Sequence, residues 1–430
     1  MPPQSARAPA RGENERNLTF RQIAALNSAR LCRARVRQIA HLSNPSPIFS
    51  FDELDIPLIS VHDRSMTTPA YLAARDINSR AESLAPVTIP SGTGNPVLDA
   101  YLFDLSRRFC GDHNPDTILN LLDTVMNAAT SGSLEDHDLQ IMAKSLEELY
   151  EADKMFHPYR NIRKITCFGS ARTPKDDPSY QIAKDFGQQA ASKGYMVITG
   201  GGPGIMQACN EGATEHFSFG LNITLPFEQH ANPVVEGSDK MMNFYYFFTR
   251  KLNLLKQTDA LVAFPGGFGT MDEIFETITL MQTGKSTLFP IVLLDPTGEM
   301  YWQRWIRFVV KELCADKLIS PEDMSLIHVS KSAEDAMDHI ERFYSCFHSY
   351  YFDDALISIR LVKPVSEEQL DWMRRDYADI MPQGDLQQFT EGDPTDPDPR
   401  LAELPRLRFV FKRGAFPRLR ELIDVINDSE

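Results

Sequence analysis

From Arg163 onward, short apolar runs alternate with longer stretches of mixed polarity. The runs RKITCF (163–168), YMVIT (195–199), FGLNITL (219–225), ALVAF (260–264) and PIVLLD (290–295) are strand candidates. Between them lie helical stretches of roughly 10–15 residues, the signature of βαβ units. The predicted class is therefore α/β: a Rossmann-like, doubly wound parallel sheet with helices on both faces. Upstream the pattern differs. Residues 1–95 are irregular and broken by prolines, with only 18–42 reading as helix, while 96–157 carry apolar positions at spacings of three and four. The tail changes again, with ALISIRLV, a helix SEEQLDWMRRDYADIM, an acidic proline-rich loop TEGDPTDPDPR, then LRFVFKR and a last helix. Four segments follow: 1–95, a helical 96–157, a sheet domain 158–350, and a small α+β unit 351–430.

A chain of 430 residues exceeds one ordinary core, which agrees with several domains. Its 42% hydrophobic and 24% charged residues are globular values. The formal net charge of −15 speaks against a general nucleic-acid or membrane-surface binder. It leaves room for a small anion held by clustered N–H groups and one or two cations. Cys32, Cys110, Cys167, Cys209, Cys314 and Cys346 lie far apart without a C-x-x-C pair, which favours reduced thiols in a cytoplasmic protein over disulfides or zinc. No apolar run reaches about 18 residues, so no transmembrane helix is expected. The first 40 residues hold eight arginines against two glutamates, read as a basic arm, with an organelle transit peptide as the alternative.

Ligands of open parallel sheets bind outside the carboxyl ends of the strands, so the turns there carry the search. Two are glycine-rich: 195–199 runs into GGGPGIMQA and 260–264 into PGGFGTMDE. Without a Cβ, glycine lets backbone N–H groups approach an anion, and a helix start adds unpaired N–H groups and a positive dipole end. The dinucleotide pattern G-x-G-x-x-G fails at Gln207 and no Gly-Lys-Ser/Thr follows. A mononucleotide suits two such turns, and so does the plainer reading of two tight turns with no ligand.

Thr270-Met271-Asp272-Glu273 also reads two ways. As a capping box, Glu273 bonds back to a Thr270 cap; facing a reacting sugar, its charge would govern the rate. Glu276 shares the face of Glu273, whereas Asp272 points about 100° away and reads as a first-turn complement to the helix dipole. NFYYFFTRKLNLLK (243–256) reads as a helix apolar around most of its circumference and hence buried, so Arg250 and Lys251 need partners. Periodicity puts Lys251 inside the apolar stripe and Arg250 at its flank. Which of them meets a ligand, or whether both are a solvated pair, stays open at this point.

Residues 163–295 resemble the LOG ("Lonely Guy") family, whose members are often mislabelled lysine decarboxylases. The resemblance rests on CFGSAR (167–172), TGGGPGIMQACNEGA (199–213), GLNITLPFEQHANP (220–233), FFTRK (247–251), PGGFGTMDE (265–273) and QTGK (282–285), in family order. It covers less than half of the chain. It implies hydrolysis of the N-glycosidic bond of a nucleoside 5′-monophosphate, AMP or a cytokinin ribotide, to free base and ribose 5-phosphate. It puts the catalytic arginine at Arg250, the catalytic glutamate at Glu273, and the phosphate-binding residues at Gly267, Gly269 and Thr270. Gly201 and Gly202 of the first turn would line the same cleft, with Ser170, Arg172 and Lys251 near the nucleotide. It implies no cofactor and no metal, and a homo-oligomer, at least a dimer. Decarboxylation would need a lysine joined to pyridoxal phosphate, and no lysine here sits in a recognisable attachment motif. Two alternatives remain: a broad purine and pyrimidine nucleotide nucleosidase in salvage, or a nucleotide-binding sensor or carrier that does not cleave. Segments 1–157 and 351–430 have no counterpart in minimal family members.

Overall fold

Asparagine followed by proline opens the first two helices of the computed structural model. Asn95 and Asn114 cap them with their side chains, and Pro96 and Pro115 stand at the first helical position, where a missing N–H costs nothing. The structure describes residues 92–430 except 112, 226–229, 297–299, 385 and 429–430. The helix expected over 18–42, the basic arm and Cys32 lie outside the described residues. Helices α1 (Pro96–Phe109), α2 (Pro115–Thr130) and α3 (Asp136–Phe156) precede the sheet, as the spacing predicts for 96–157.

Seven strands make one parallel sheet in the order β4-β3-β2-β1-β5-β6-β7. They are β1 (Lys164–Phe168), β2 (Met196–Thr199), β3 (Ser218–Ile223), β4 (Met241–Phe244), β5 (Ala260–Ala263), β6 (Ile291–Leu294) and β7 (Ile327–Ser330). Helices α4 (Pro178–Ser192), α5 (Ile205–Ala213), α6 (Phe247–Lys256), α7 (Phe268–Gln282), α8 (Tyr301–Phe308) and α9 (Ala333–Phe343) connect and cover them. Successive side chains of a strand point to opposite faces. Ile165, Cys167 and Val262 pack on α4, α5 and α9, while Ile198, Leu221 and Leu261 pack on the layer of α3, α6, α7 and α8. The Rossmann-like, doubly wound architecture is the one the pattern predicts. The strand order reverses between β1 and β5, which opens a crevice at their carboxyl ends.

Two strands were not expected. β4 (MMNF) and β7 (IHVS) are sheet edges, only partly buried, and lack the long apolar run that marks a central strand. The helix expected over 243–256 is corrected accordingly: Asn243 and Phe244 end β4, and α6 starts at Phe247.

The second sheet is antiparallel, in the order β10-β11-β9-β8. It comprises β8 (Phe347–Asp353), β9 (Leu356–Leu361), β10 (Gln387–Phe389) and β11 (Arg406–Val410), with α10 (Glu367–Asp376) and α11 (Phe416–Asn427). It begins at Phe347, ahead of the boundary expected at 351. The acidic loop is tied inward: Asp396 accepts two hydrogen bonds from Arg360 at 2.8 and 2.6 Å and one from Arg406 at 2.9 Å. Ile359, Leu419 and Ile423 join the same apolar cluster as Leu261 and Leu293. No helix among the described residues is long and apolar enough to cross a membrane, and the described cysteines form no disulfide.

Candidate active site

Beyond β5 the chain turns through Pro265, Gly266 and Gly267 into α7. A Cβ on Gly266 would collide with the side chain of Thr270, so glycine lets that threonine fold back over the turn. Gly267 is the N-cap, and no side chain caps α7. The capping-box reading is therefore not met: Thr270 stands third in the helix and Glu273 lies beyond the first turn. The leading N–H groups of α7 have no intrahelical partner and keep their positive end for a ligand.

At the β1/β5 crevice lies a cavity of about 970 Å³. Ser170, Arg172, Gly267, Gly269, Thr270, Arg250 and Glu273 all line it, seven of the sequence-predicted residues in one place. The backbone N–H of Ser170 donates to the Pro265 carbonyl at 3.2 Å, joining the loops after β1 and β5.

Three predicted residues are not brought there. Gly201 and Gly202 are buried beneath the cavity, and their carbonyls accept hydrogen bonds from Asn232 Nδ2 at 3.1 and 3.1 Å. β2 stands one strand from the reversal, so only its first glycine, Gly200, reaches the lining, where a Cβ would strike the Arg250 guanidinium. Lys251 turns away to Asp272 at 2.8 Å and to Glu276. Asp272 is thus a partner of Lys251 and not a first-turn complement to the dipole, a turn that carries no acid at all.

Periodicity puts Lys251 in the apolar stripe and leaves open which cation meets the site; Arg250 lines the cavity. Its Nε donates to the Leu221 carbonyl at 2.7 Å, which fixes the guanidinium against the sheet. Burial lowers its pKa and the neighbouring Glu273 opposes that. Helix α6 is also less buried than its apolar sequence predicts, with Phe247 and Phe248 each 56% exposed.

Glu273 is only 6% exposed, and its Oε2 has no hydrogen-bond partner. Burial pushes its pKa up from 4.5 to about 7, against the pull of Lys251 and Arg250. A carboxylate so placed changes charge near neutrality beside a fixed cation, the condition for acid–base or electrostatic catalysis. Gly200, Tyr301 and Arg304 also line the cavity and were missed. The last two come from α8, outside every matched string, and the Tyr301 hydroxyl donates to the Gly266 carbonyl. Their one sequence signal was position: α8 follows β6, the strand beside β5.

The family model described as "Possible lysine decarboxylase" matches residues 206–340. The cytokinin riboside 5'-monophosphate phosphoribohydrolase LOG3 of Arabidopsis thaliana is 27% identical over 190 residues, 43% of this chain and 85% of its own length. A probable cytokinin riboside 5'-monophosphate phosphoribohydrolase of Oryza sativa subsp. japonica, LOGL3, is 24% identical over 182 residues, 42% of this chain and 84% of its own. The sheet segment is similar to the LOG-named phosphoribohydrolases. Among solved structures, the molybdenum cofactor carrier protein of Chlamydomonas reinhardtii is 23% identical, covering 42% of this chain and 97% of its own at a TM-score of 0.30. No lysine is among the described residues lining the cavity.

Proposed function

We propose that this chain hydrolyses the N-glycosidic bond of a nucleoside 5′-monophosphate, AMP or a cytokinin-type ribotide, to free base and ribose 5-phosphate. The observation that carries the reading is Glu273: a buried carboxylate with an unpartnered oxygen, beside Arg250 and one helical turn from an open phosphate turn. The relatives named as phosphoribohydrolases support it. The 5′-phosphate rests on the leading N–H groups of α7 at Gly267–Thr270, which fixes the sugar over the strand ends. As the C1′–N bond breaks, its electron pair leaves with the base, and the ionised Glu273 stabilises the positive charge on the ribose. A water oxygen bonds to C1′ and gives a proton to Glu273, while the departing nitrogen takes one from solvent. Arg250 holds the nucleotide in place.

Free base and ribose 5-phosphate are to be measured across purine and pyrimidine monophosphates and the matching nucleosides. The nucleoside, without its anchor, is expected to fall at least about a hundredfold in kcat/KM. Equal turnover of AMP and adenosine would overturn the reading. Comparable rates across all bases would instead favour the salvage nucleosidase, and tight binding without product a sensor or carrier.

A further inference from the structure

Helix α6 begins without a side-chain cap of its own; Tyr246, its N-cap, offers only backbone. A carboxylate from another part of the chain brackets this start. Glu148, on α3, is 1% exposed. Its Oε1 accepts the backbone N–H of Tyr245 at 2.5 Å, and its Oε2 accepts the Thr249 hydroxyl at 2.5 Å. One carboxylate thus ties the residue ahead of the N-cap to the third residue of α6, next to the positive end of the helix dipole. Thr249 immediately precedes Arg250. Arg250 is also fixed by the Leu221 carbonyl on β3, and it lies close to Gly200, just past β2, where a Cβ would strike its guanidinium. α3 is anchored through Phe156, which is buried with its ring 4.5 Å from that of Phe219, while at the far end of α6 Asp153 and Lys256 form an exposed pair at 2.6 Å.

We propose that Glu148 is a positioning residue for the reaction. From α3, outside the residues 206–340 matched by the family model, it fixes the start of α6 and so the place of Arg250 opposite Glu273. The inference rests on the catalytic reading of Arg250 and Glu273. It gives the helical segment ahead of the sheet a task in the site: the geometry of the arginine depends on a carboxylate that the matched segment does not contain. A contact that only glued two helices together would leave the chemistry alone; this one acts through Arg250.

The test is a double-mutant cycle on the full chain, reading kcat and KM with the monophosphate that the wild type turns over fastest. Glu148→Ala is expected to lower kcat about 30-fold with KM within threefold, the scale of a misplaced catalytic group. Thr249→Val, which keeps the bond to Tyr245, is expected to lose about fivefold. Asp153→Ala loosens the same helix pair at its other end and is expected to stay within twofold of wild type. In an Arg250→Ala background Glu148→Ala is expected to add nothing, because its effect passes through the missing side chain. Losses that multiply in the cycle, or a Glu148→Ala kcat within twofold of wild type, would overturn the proposal. If Glu148→Ala does not fold, the cycle of Thr249→Val with Arg250→Ala decides by the same criterion. A wild type that releases no base from any nucleotide defeats the reading of the site, and this inference falls with it.

Discussion

Glu273 is costly to the fold in the form the proposed reaction uses. Its folded pKa of about 7 lies above the ordinary 4.5, so the unfolded chain gives up this proton first as pH rises. Stability is full below 4.5 and is lost as pH climbs through 7, a difference corresponding to roughly 3 kcal/mol. Glu273→Gln cannot ionise. It should be more stable than wild type at pH 8, by up to about 3 kcal/mol, with the gain absent near pH 4.5. Paired denaturant titrations at the two pH values check this; a gain equal at both would refute it. Activity should run the other way. In the proposed reaction the ionised carboxylate is the working form, so kcat/KM should fall about tenfold per pH unit below 7 and level off above it. Removing Arg250 takes away one of the two cations holding this pKa down, so the residual profile of Arg250→Ala should shift to higher pH. Glu273→Ala should lose about three decades of kcat, the worth of roughly 4 kcal/mol for a charge about 4 Å from the reacting sugar. A loss under tenfold would show that the carboxylate is not at the reaction.

At the level of elements, what could be read from the chain depended on how much of each element is buried. The five strands with continuous apolar runs are inner strands, covered on both faces, and their burial produces the runs. β4 and β7 are edges, and IHVS or MMNF carry no such signature. Helix starts were the weaker point. α7 begins at Phe268 because Gly267 serves as the cap, and that shift moved Glu273 out of a capping box and up to the cavity. Periodicity put Lys251 in the apolar stripe of α6 without choosing between it and Arg250, and it has no means of knowing that Asp272 and Glu276 on α7 draw the lysine aside. Gly284 shows a second use of a matched string. Its φ is +70°, it ends α7, and a Cβ there would meet the ring of Phe416 at the start of α11. Gly284→Ala should therefore loosen the α11 contact and lower stability by about 2 kcal/mol, from left-handed strain and the displaced ring together. Its unfolding midpoint in urea, compared with that of Phe416→Ala, tests the cause: the double variant should lose less than the two single losses added.

For the molecule as a whole, one surface is out of keeping with a lone chain. At the cavity mouth Phe268 is 97% exposed, and along α6 Tyr245, Phe247, Phe248 and Leu252 are each more than half exposed. Phe247 and Phe268 also line the cavity, so in a single chain one wall of the site is wet. Water there weakens every electrostatic interaction on which Glu273 and Arg250 depend. A second copy laid over this face would cover the aromatics and dry the wall at once, which is our reason for proposing a homo-oligomer with the site at its contact. Light scattering should then give a mass at least twice the 48.6 kDa of one chain. Phe248→Asp and Leu252→Asp put charge on that face without touching the cavity lining. Each should shift the mass toward one chain and lower kcat together with it, and raising the protein concentration should restore both. A wild type that scatters as a single chain at full activity would leave the aromatic face without this purpose. Variants that dissociate yet turn over normally would separate the contact from the site.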